Sequence, residues 1–488
     1  MKIIILGAGR VGESVAESLV FEGNDITVVD TDAQRLRTLE DRFDLRGVVG
    51  NGIQPSVLAE AGADDADLFI ACAALDETNL AACKIAHAVF NVPTRVARVR
   101  MPDVRNDTAL LSKDNFAVDC VICPEESITR YIGKLVEYPE ALQVREFAGG
   151  LACLLSVRAM LGAPMVHHSI SELAARVPGA AMRIVAIYRR LADQPDRFIV
   201  CKGSTRIQPG DEVFVLAARE HVEQVLAALH TDQQPVRRIM IAGGGRVGES
   251  VALELARKMP LKIIEADKER AVQLASRLPS NVLVLHGDAT DEDLLEEEHI
   301  AGVDLFLALT SDDEDNIMSC LLAKRMGATR VLSLLYRRSY ADLMHGTQID
   351  IALSPSQAML GELLAYVRRG DVEAVHSLRR GVAEALELVV RGDKKSSRVV
   401  GQAIADIRLP EGCAIGLVVR GMPQPAGHDE DGKPIAAKGP IGEAQPRVLV
   451  ADDDLVIESN DHVVIFLPRK RLVRDIEKLF QPRATFFG

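Results

Sequence analysis

Short aliphatic runs alternate with helix-spaced apolar positions along two separate parts of this chain. In the first part Ile3–Leu6, Asp25–Val29, Leu45–Val49, Leu68–Ala71 and Thr94–Val99 read as buried strands. Between them, stretches such as Val11–Phe21 and Asn79–Phe90 carry apolar residues at helical spacing. Strands alternating with helices predict a parallel sheet with right-handed crossovers. Pro124, after Cys123, and Pro355, after Ser354, each open a further helix, where the missing N–H of proline costs little.

The intervening regions follow another pattern. They have short strands, one small helix each (Ile170–Val177 and Gln402–Ile407), and turns such as Pro209-Gly210-Asp211 that feed strands such as Val213–Leu216. This predicts a small α+β module with antiparallel pairing. Final helices over Glu220–Leu229 and Arg471–Leu479 are free to cover an edge or join a partner.

The two parts are copies. Met1-Lys-Ile-Ile-Ile-Leu-Gly-Ala-Gly-Arg-Val-Gly-Glu-Ser-Val returns as Arg238-Ile-Met-Ile-Ala-Gly-Gly-Gly-Arg-Val-Gly-Glu-Ser-Val, so that Gly7 maps to Gly243 and Gly12 to Gly248. Val28-Val29-Asp30 returns as Ile263-Ile264-Glu265, and Asp76-Glu77-Thr78-Asn79 as Asp313-Glu314-Asp315-Asn316. The spacers repeat more weakly, with a Pro/Gly-rich insertion in the second over Gly421–Gln445 that reads as a surface excursion. The layout is N-lobe (1–123), C-lobe (143–229), N-lobe (236–356), C-lobe (371–482), with a linker near Thr231–Val236.

Gly7-x-Gly9-x-x-Gly12 follows a strand and opens a helix. In a dinucleotide-binding turn the first glycine permits the bend, the second lets backbone approach a pyrophosphate, and the third allows close helix–strand packing. The helix N-terminus then offers N–H groups to the anion. Asp30 ends the second strand, where a carboxylate accepts from ribose hydroxyls and repels a 2′-phosphate. Gly243, Gly245, Gly248 and Glu265 repeat the set. NAD(H) is therefore favoured over NADP(H), and ATP or ADP shares the same adenosine diphosphate part. The alternative is a pair of turns kept for packing alone. Ala73-Ala74 and Thr310-Ser311 end the fourth strands, where small residues leave room for a ligand. Arg98 ends the fifth and either reaches a phosphate or pairs in solvent. Asp288 could touch an adenine edge, a position held by Asn51 in the first copy. Asp76 and Asp313 read as caps of the following helices, and His167-His168 as a solvated loop.

Composition narrows the class. With 57 Lys plus Arg against 70 Asp plus Glu the net charge is −13, and aromatics are 4% with no Trp, which argues against nucleic acid as a partner. No apolar run approaches the roughly 20 residues of a membrane helix, so the expectation is a cytoplasmic or peripheral chain. Eight scattered Cys suggest no disulfide framework, and Cys120-x-x-Cys123 has no second metal-ligand pair nearby. No convergent Lys/His/Tyr constellation and no hydrolase, Walker or zinc-protease motif stands out. A regulator that binds without turnover fits better than an enzyme; the competing class is an NAD-dependent dehydrogenase with an unrecognised substrate site.

The chain closely resembles the TrkA family of RCK (regulator of potassium conductance) subunits of bacterial Trk potassium uptake systems. The resemblance covers nearly the full length. It is carried by the first glycine turn, Asp25-Ile-Thr-Val-Val-Asp-Thr31, Ala61-Gly-Ala-Asp-Asp-Ala-Asp67, Ala323-Lys-Arg-Met-Gly-Ala328 and Ser377-Leu-Arg-Arg-Gly-Val-Ala-Glu384. It implies an α/β fold of two tandem RCK units, each a Rossmann-like N-lobe followed by an α+β C-lobe. It also implies binding of NAD(H), ATP and ADP, and assembly as a homotetrameric ring on the cytoplasmic face of a Trk-type potassium transporter subunit. Family nucleotide positions fall on Gly7, Ala8, Gly9, Arg10, Val11, Asp30, Ala73, Ala74 and Arg98, and on Gly243, Gly244, Gly245, Arg246, Val247 and Glu265.

Overall fold

The computed structural model describes residues 1–191, 194–231, 235–337, 340, 348–368, 371–379, 382–423 and 445–482. It divides into two compact units, and both draw on both halves of the chain. Met1–Gly133 and Val236–Leu363 form one; Lys134–Pro235 and Leu364–Gly488 form the other.

The first unit holds the two N-lobes. Strands β1 (Lys2–Leu6), β2 (Asp25–Asp30), β3 (Arg46–Val49), β4 (Leu68–Ala71), β5 (Thr94–Arg98) and β6 (Cys120–Ile122) form one parallel sheet in the order β3-β2-β1-β4-β5-β6. Helices Arg10–Val20 and Asp76–Ala88 lie where the apolar spacing predicts, and Pro124 opens a helix to Glu137. Helix Arg10–Val20 buries Gly12, Val15, Ala16 and Leu19, a stripe at three- and four-residue spacing. Phe69, Leu80 and Val29 anchor the core on one side of the sheet.

The second N-lobe repeats this topology. After β7–β11 of the intervening lobe (Ala141–Phe147, Ala152–Arg158, Met182–Leu191, Gln194–Ile199 and Glu212–Ala218) come β12 (Ile239–Ala242), β13 (Leu261–Glu265), β14 (Val282–His286), β15 (Leu305–Ala308), β16 (Arg330–Leu334) and β17 (Ile351–Leu353). Their order is β14-β13-β12-β15-β16-β17, with Met240, Ile264 and Phe306 in the core. Pro355 opens the helix Pro355–Val367.

In the second unit β7–β11 make an antiparallel sheet, β10-β9-β11-β8-β7. Strands β18 (Val372–Leu378), β19 (Ala383–Val389), β20 (Ala414–Arg420), β21 (Arg447–Val450) and β22 (His462–Leu467) make its counterpart, β18-β19-β22-β20-β21. The two sheets are not separate modules. Phe147, Tyr188 and Phe214 of the first share one core with Leu378, Leu417 and Phe466 of the second. Phe214 and Phe466 meet with ring centres 5.9 Å apart.

The small helices are shorter than the sequence predicts. Over 170–177 a 3₁₀ turn (Ile170–Glu172) leads into one α-helical turn, Leu173–Arg176, and Ser169 with Glu172 closes a reciprocal cap. Over 402–407 only a 3₁₀ turn forms, Ile404–Asp406, and Ala403 at its start has no capping side chain. The final helices run over Val222–Leu229 and Val473–Phe480, each after a 3₁₀ turn. The insertion lies largely outside the described residues, as does the middle of the linker.

Candidate functional site

Strand order reverses between β1 and β4, the position where doubly wound sheets open a crevice at their C-terminal edge. Gly7 follows β1 into it with φ +103°, and a Cβ there would lie 2.9 Å from the Cys72 carbonyl oxygen. A Cβ on Gly12 would run into the Gly7 carbonyl. Both glycines are thus demanded by the protein's own packing. Gly9 is not. Its backbone is ordinary extended chain (φ −75°, ψ −178°), and a Cβ there meets nothing within 4 Å. Absence of a side chain at Gly9 leaves open space before the helix Arg10–Val20 and nothing else.

The second copy repeats all three relationships. Gly243 has φ +97°, a Cβ on Gly248 would run into the Gly243 carbonyl, and Gly245 (φ −63°, ψ −169°) again faces open space. Arg246 and Val247 begin the helix Arg246–Leu255 just beyond.

The acids tie the turns together. Asp30 Oδ2 accepts from the backbone N–H of Ala8 at 2.6 Å, and its Oδ1 from Asp32 at 2.9 Å. Glu265 accepts from Gly244 at 2.7 Å and from Asp267 at 2.8 Å, so its extra methylene leaves the pattern intact. Each carboxylate oxygen keeps a lone pair for a further donor such as a ribose hydroxyl.

A cavity of about 580 Å³ opens at the first turn. Gly7, Gly9, Arg10, Val11 and Asp30 line it, joined by Ala73, Ala74 and Arg98. Ala8 and Gly12 are buried beneath the turn. The second N-lobe adds Val247, Tyr336, Pro355 and Ser356 to its wall. Arg10 lies over the Tyr336 ring, 5.0 Å from its centre. Sequence reading missed this contribution, because nothing in either repeat marks a residue that faces the other.

Arg98 does not pair in solvent. Its Nη2 donates to Glu125 Oε1 at 2.8 Å, with the two side chains 15% and 20% exposed, and its buried Nε has no hydrogen-bond partner. Its backbone is fixed by fully buried Asn79, which accepts from Ala73 N–H at 2.8 Å and donates to the Ala73 and Arg98 carbonyls. Asn316 makes the same three bonds to Thr310 and Leu334 in the second copy. The repeat of Asn79 as Asn316 was the available signal for these crossing ties.

Asp76 and Asp313 are not caps. Each begins its helix and reaches across to the chain leaving the fifth strand. Asp76 accepts from the backbone N–H groups of Arg100 and Met101, and Asp313 from those of Tyr336 and Arg337. The cap in the second copy is Asp312, which accepts from Asp315. Thr310 is half-buried, and its Oγ1 accepts from the N–H of Asp312 at 3.1 Å; Ser311 is exposed. Asp288 is exposed and accepts from both N–H and Oγ1 of Thr290, which hold its carboxyl below the usual range. Asn51 forms the matching turn with the Ile53 N–H and lines the first cavity.

His168 is engaged by Glu172 and Arg176. All eight cysteines are free, and burial raises the Cys123 thiol. Among the described residues no cluster of His, Cys, Asp and Glu could hold a metal ion, and no helix is long and apolar enough to cross a membrane.

Two doubly wound parallel sheets, each with an open glycine cradle and an acid closing its second strand, define a duplicated protein of the dinucleotide-binding fold class. The TrkA-N domain model matches residues 3–124 and 239–355, and the TrkA-C domain model residues 154–230. The Trk system potassium uptake protein TrkA of Halomonas elongata is 48% identical over 487 residues, covering 100% of both chains. The protein of the same name from Vibrio alginolyticus is 47% identical, and that from Haemophilus influenzae 43%, again over 100% of each chain. The chain belongs to the TrkA family, with two tandem RCK units. Among solved structures the GsuK RCK domain superposes with a TM-score of 0.58 at 15% identity, over 98% of this chain and 94% of that one. The GsuK channel bound to NAD superposes with a TM-score of 0.59 at 16% identity, over 98% and 78%. At that identity the likeness is one of fold.

Proposed function

We propose that this chain is a nucleotide-binding regulatory subunit of a Trk-type potassium uptake system. NAD(H) binds at the two glycine turns, and ATP or ADP uses the same adenosine diphosphate space. The first site comprises Gly7 to Gly12 with Asp30, Ala73, Ala74 and Arg98. The second comprises Gly243 to Gly248 with Glu265, Asp288, Thr310 and Ser311.

One observation carries the reading: a Cβ at Gly9 or Gly245 would meet no protein atom within 4 Å. Glycine at those positions serves something outside the protein's own packing, and a pyrophosphate at the helix N-terminus is the group that needs the space. The full-length relatives named as potassium uptake proteins support the physiological half.

In this reading the chains assemble as a tetrameric ring on the cytoplasmic face of the membrane transporter subunit, and bound nucleotide shifts the ring between gating states. A ligand moves that equilibrium only by its differential affinity for the two states, so two nucleotides in one site can act oppositely. The chain binds without turnover.

The test is rubidium uptake at low external potassium, in a host lacking this chain and redundant uptake systems. Wild type restores uptake, whereas a folded Gly9→Val/Gly245→Val double variant does not. Equal uptake with the double variant overturns the nucleotide-dependent role. Substrate-dependent NADH absorbance changes would revive the dehydrogenase.

A further inference from the structure

We propose that the two nucleotide sites read different ligands: the first takes nucleoside di- and triphosphates as well as dinucleotides, and the second takes dinucleotides alone. This rests on the nucleotide-binding reading above and assigns the ligand class of each site.

The repeat allows the sites to be compared atom by atom. Asn79 bonds the Arg98 carbonyl and Asn316 the Leu334 carbonyl, so Arg98 and Leu334 hold the same place. Glu125 follows the Pro124 that opens its helix, and Ser356 follows Pro355. The ion pair Arg98–Glu125 at the first cavity is therefore replaced in the second copy by a buried leucine and a serine. Both charges are absent together. Arg98 lines the cavity while its Nη2 is held by Glu125. A terminal phosphate matches the guanidinium in charge and accepts from its donors. Leu334 offers a phosphate neither.

A second difference points the same way. Arg35 and Arg270 stand at the same repeat position, three residues after the helix caps Asp32 and Asp267. Arg270 is committed to the turn itself: Nε donates to the Gly244 carbonyl at 2.9 Å and Nη2 to Glu249 at 2.7 Å. A Cβ on Gly244 would run into Leu274 Cδ1. The first copy has Ala8 at that point, and Arg35 does not reach its turn. It lines the cavity, largely exposed, with Asp32 at 3.3 Å. The first site thus presents Arg35 and Arg98 to a ligand, while the second presents neither equivalent.

Equilibrium dialysis of the full-length chain with ATP and with NADH tests the assignment. NADH fills two sites per chain and ATP one. Arg98→Leu/Glu125→Ser, which gives the first site the residues of the second, weakens ATP by about tenfold or more, the order for losing a hydrogen bond to a charged group, and weakens NADH at that site less than it weakens ATP. Arg35→Ala, at an exposed position, weakens ATP more than NADH and covers the case in which the double variant misfolds. ATP filling two equal sites, no ATP binding beside normal NADH binding, or ATP affinity unchanged in the folded variants overturns the assignment. Absence of both nucleotides from the wild-type chain instead overturns the nucleotide-binding reading itself.

Discussion

The guanidinium of Arg10 lies 5.0 Å from the centre of the Tyr336 ring, so the helix that opens the first glycine turn rests on an aromatic of the second N-lobe. Burial raises the Tyr336 phenol above its usual value, against the opposing pull of the Arg10 charge. A cation over an aromatic face contributes about 0.5–2 kcal/mol, depending on how far it is desolvated. Tyr336→Ala is expected to lose about that much stability beyond its lost packing, whereas Tyr336→Phe, which keeps the ring, stays near wild type. Urea unfolding midpoints of the two variants measure the difference; equal losses would show that the ring face is not the cause.

Gly9 and Gly12 separate binding from packing. Gly9→Ala is expected to unfold within about 0.5 kcal/mol of wild type, since its Cβ meets nothing. Gly12→Ala drives a methyl into the Gly7 carbonyl and is expected to cost about 1–3 kcal/mol or more. Thermal melts paired with NADH titration should give a stable, weak-binding Gly9 variant and an unstable Gly12 variant. A Gly9→Ala chain with wild-type NADH affinity would count against the cradle.

Asp76 makes the first N-lobe sensitive to acid. Burial alone would raise its carboxyl, but bonds from the Met101 and Arg100 N–H groups and the Arg100 side chain outweigh it, and its pKa lies below the ordinary 3.8. A carboxyl lowered on folding contributes stability that is fully present above its unfolded value and is lost as pH falls through the folded one. Stability should therefore decline below about pH 4, and Asp76→Asn should flatten that part of the profile while costing about 1–3 kcal/mol near neutrality. Chemical denaturation from pH 3 to 7 tests both.

Glu387 joins the two antiparallel lobes. It is buried, holds His462 Nδ1 at 2.6 Å and accepts from the backbone N–H of Ala148, in the other lobe, at 2.8 Å. At the equivalent place across the lobe pair, Glu212 binds Ser156 at 2.7 Å and Arg379. Glu387→Ala leaves the buried Ala148 N–H and the partly buried His462 without this partner and should cost about 1–3 kcal/mol. Glu387→Gln keeps an acceptor and should cost less. A loss no larger than that of an exposed glutamate would remove Glu387 as the tie, and circular dichroism melts would detect it.

Much of the molecule was legible beforehand because its signals are local. Strand Leu68–Ala71 is a fully buried apolar run, so its bounds are the run itself. The glycine turns were legible because their spacing follows a strand and opens a helix within a few residues. Asp76 was misread as a cap because an acid at a helix start looks the same whether it binds its own helix or the chain leaving β5. Arg98 was left between a phosphate and solvent because its partner, Glu125, lies twenty-seven residues on, across the cavity wall.

The sequence by itself determined the duplication, the two kinds of lobe, the glycine turns and the acid that closes each. These follow from apolar periodicity and from backbone demands that act within a few residues. Only the tertiary structure decided which lobes share a core, which residues of one copy complete the site of the other, and where Arg35 and Arg270 part company. Packing of that kind is settled between elements distant in the chain, and no pattern within either copy records it.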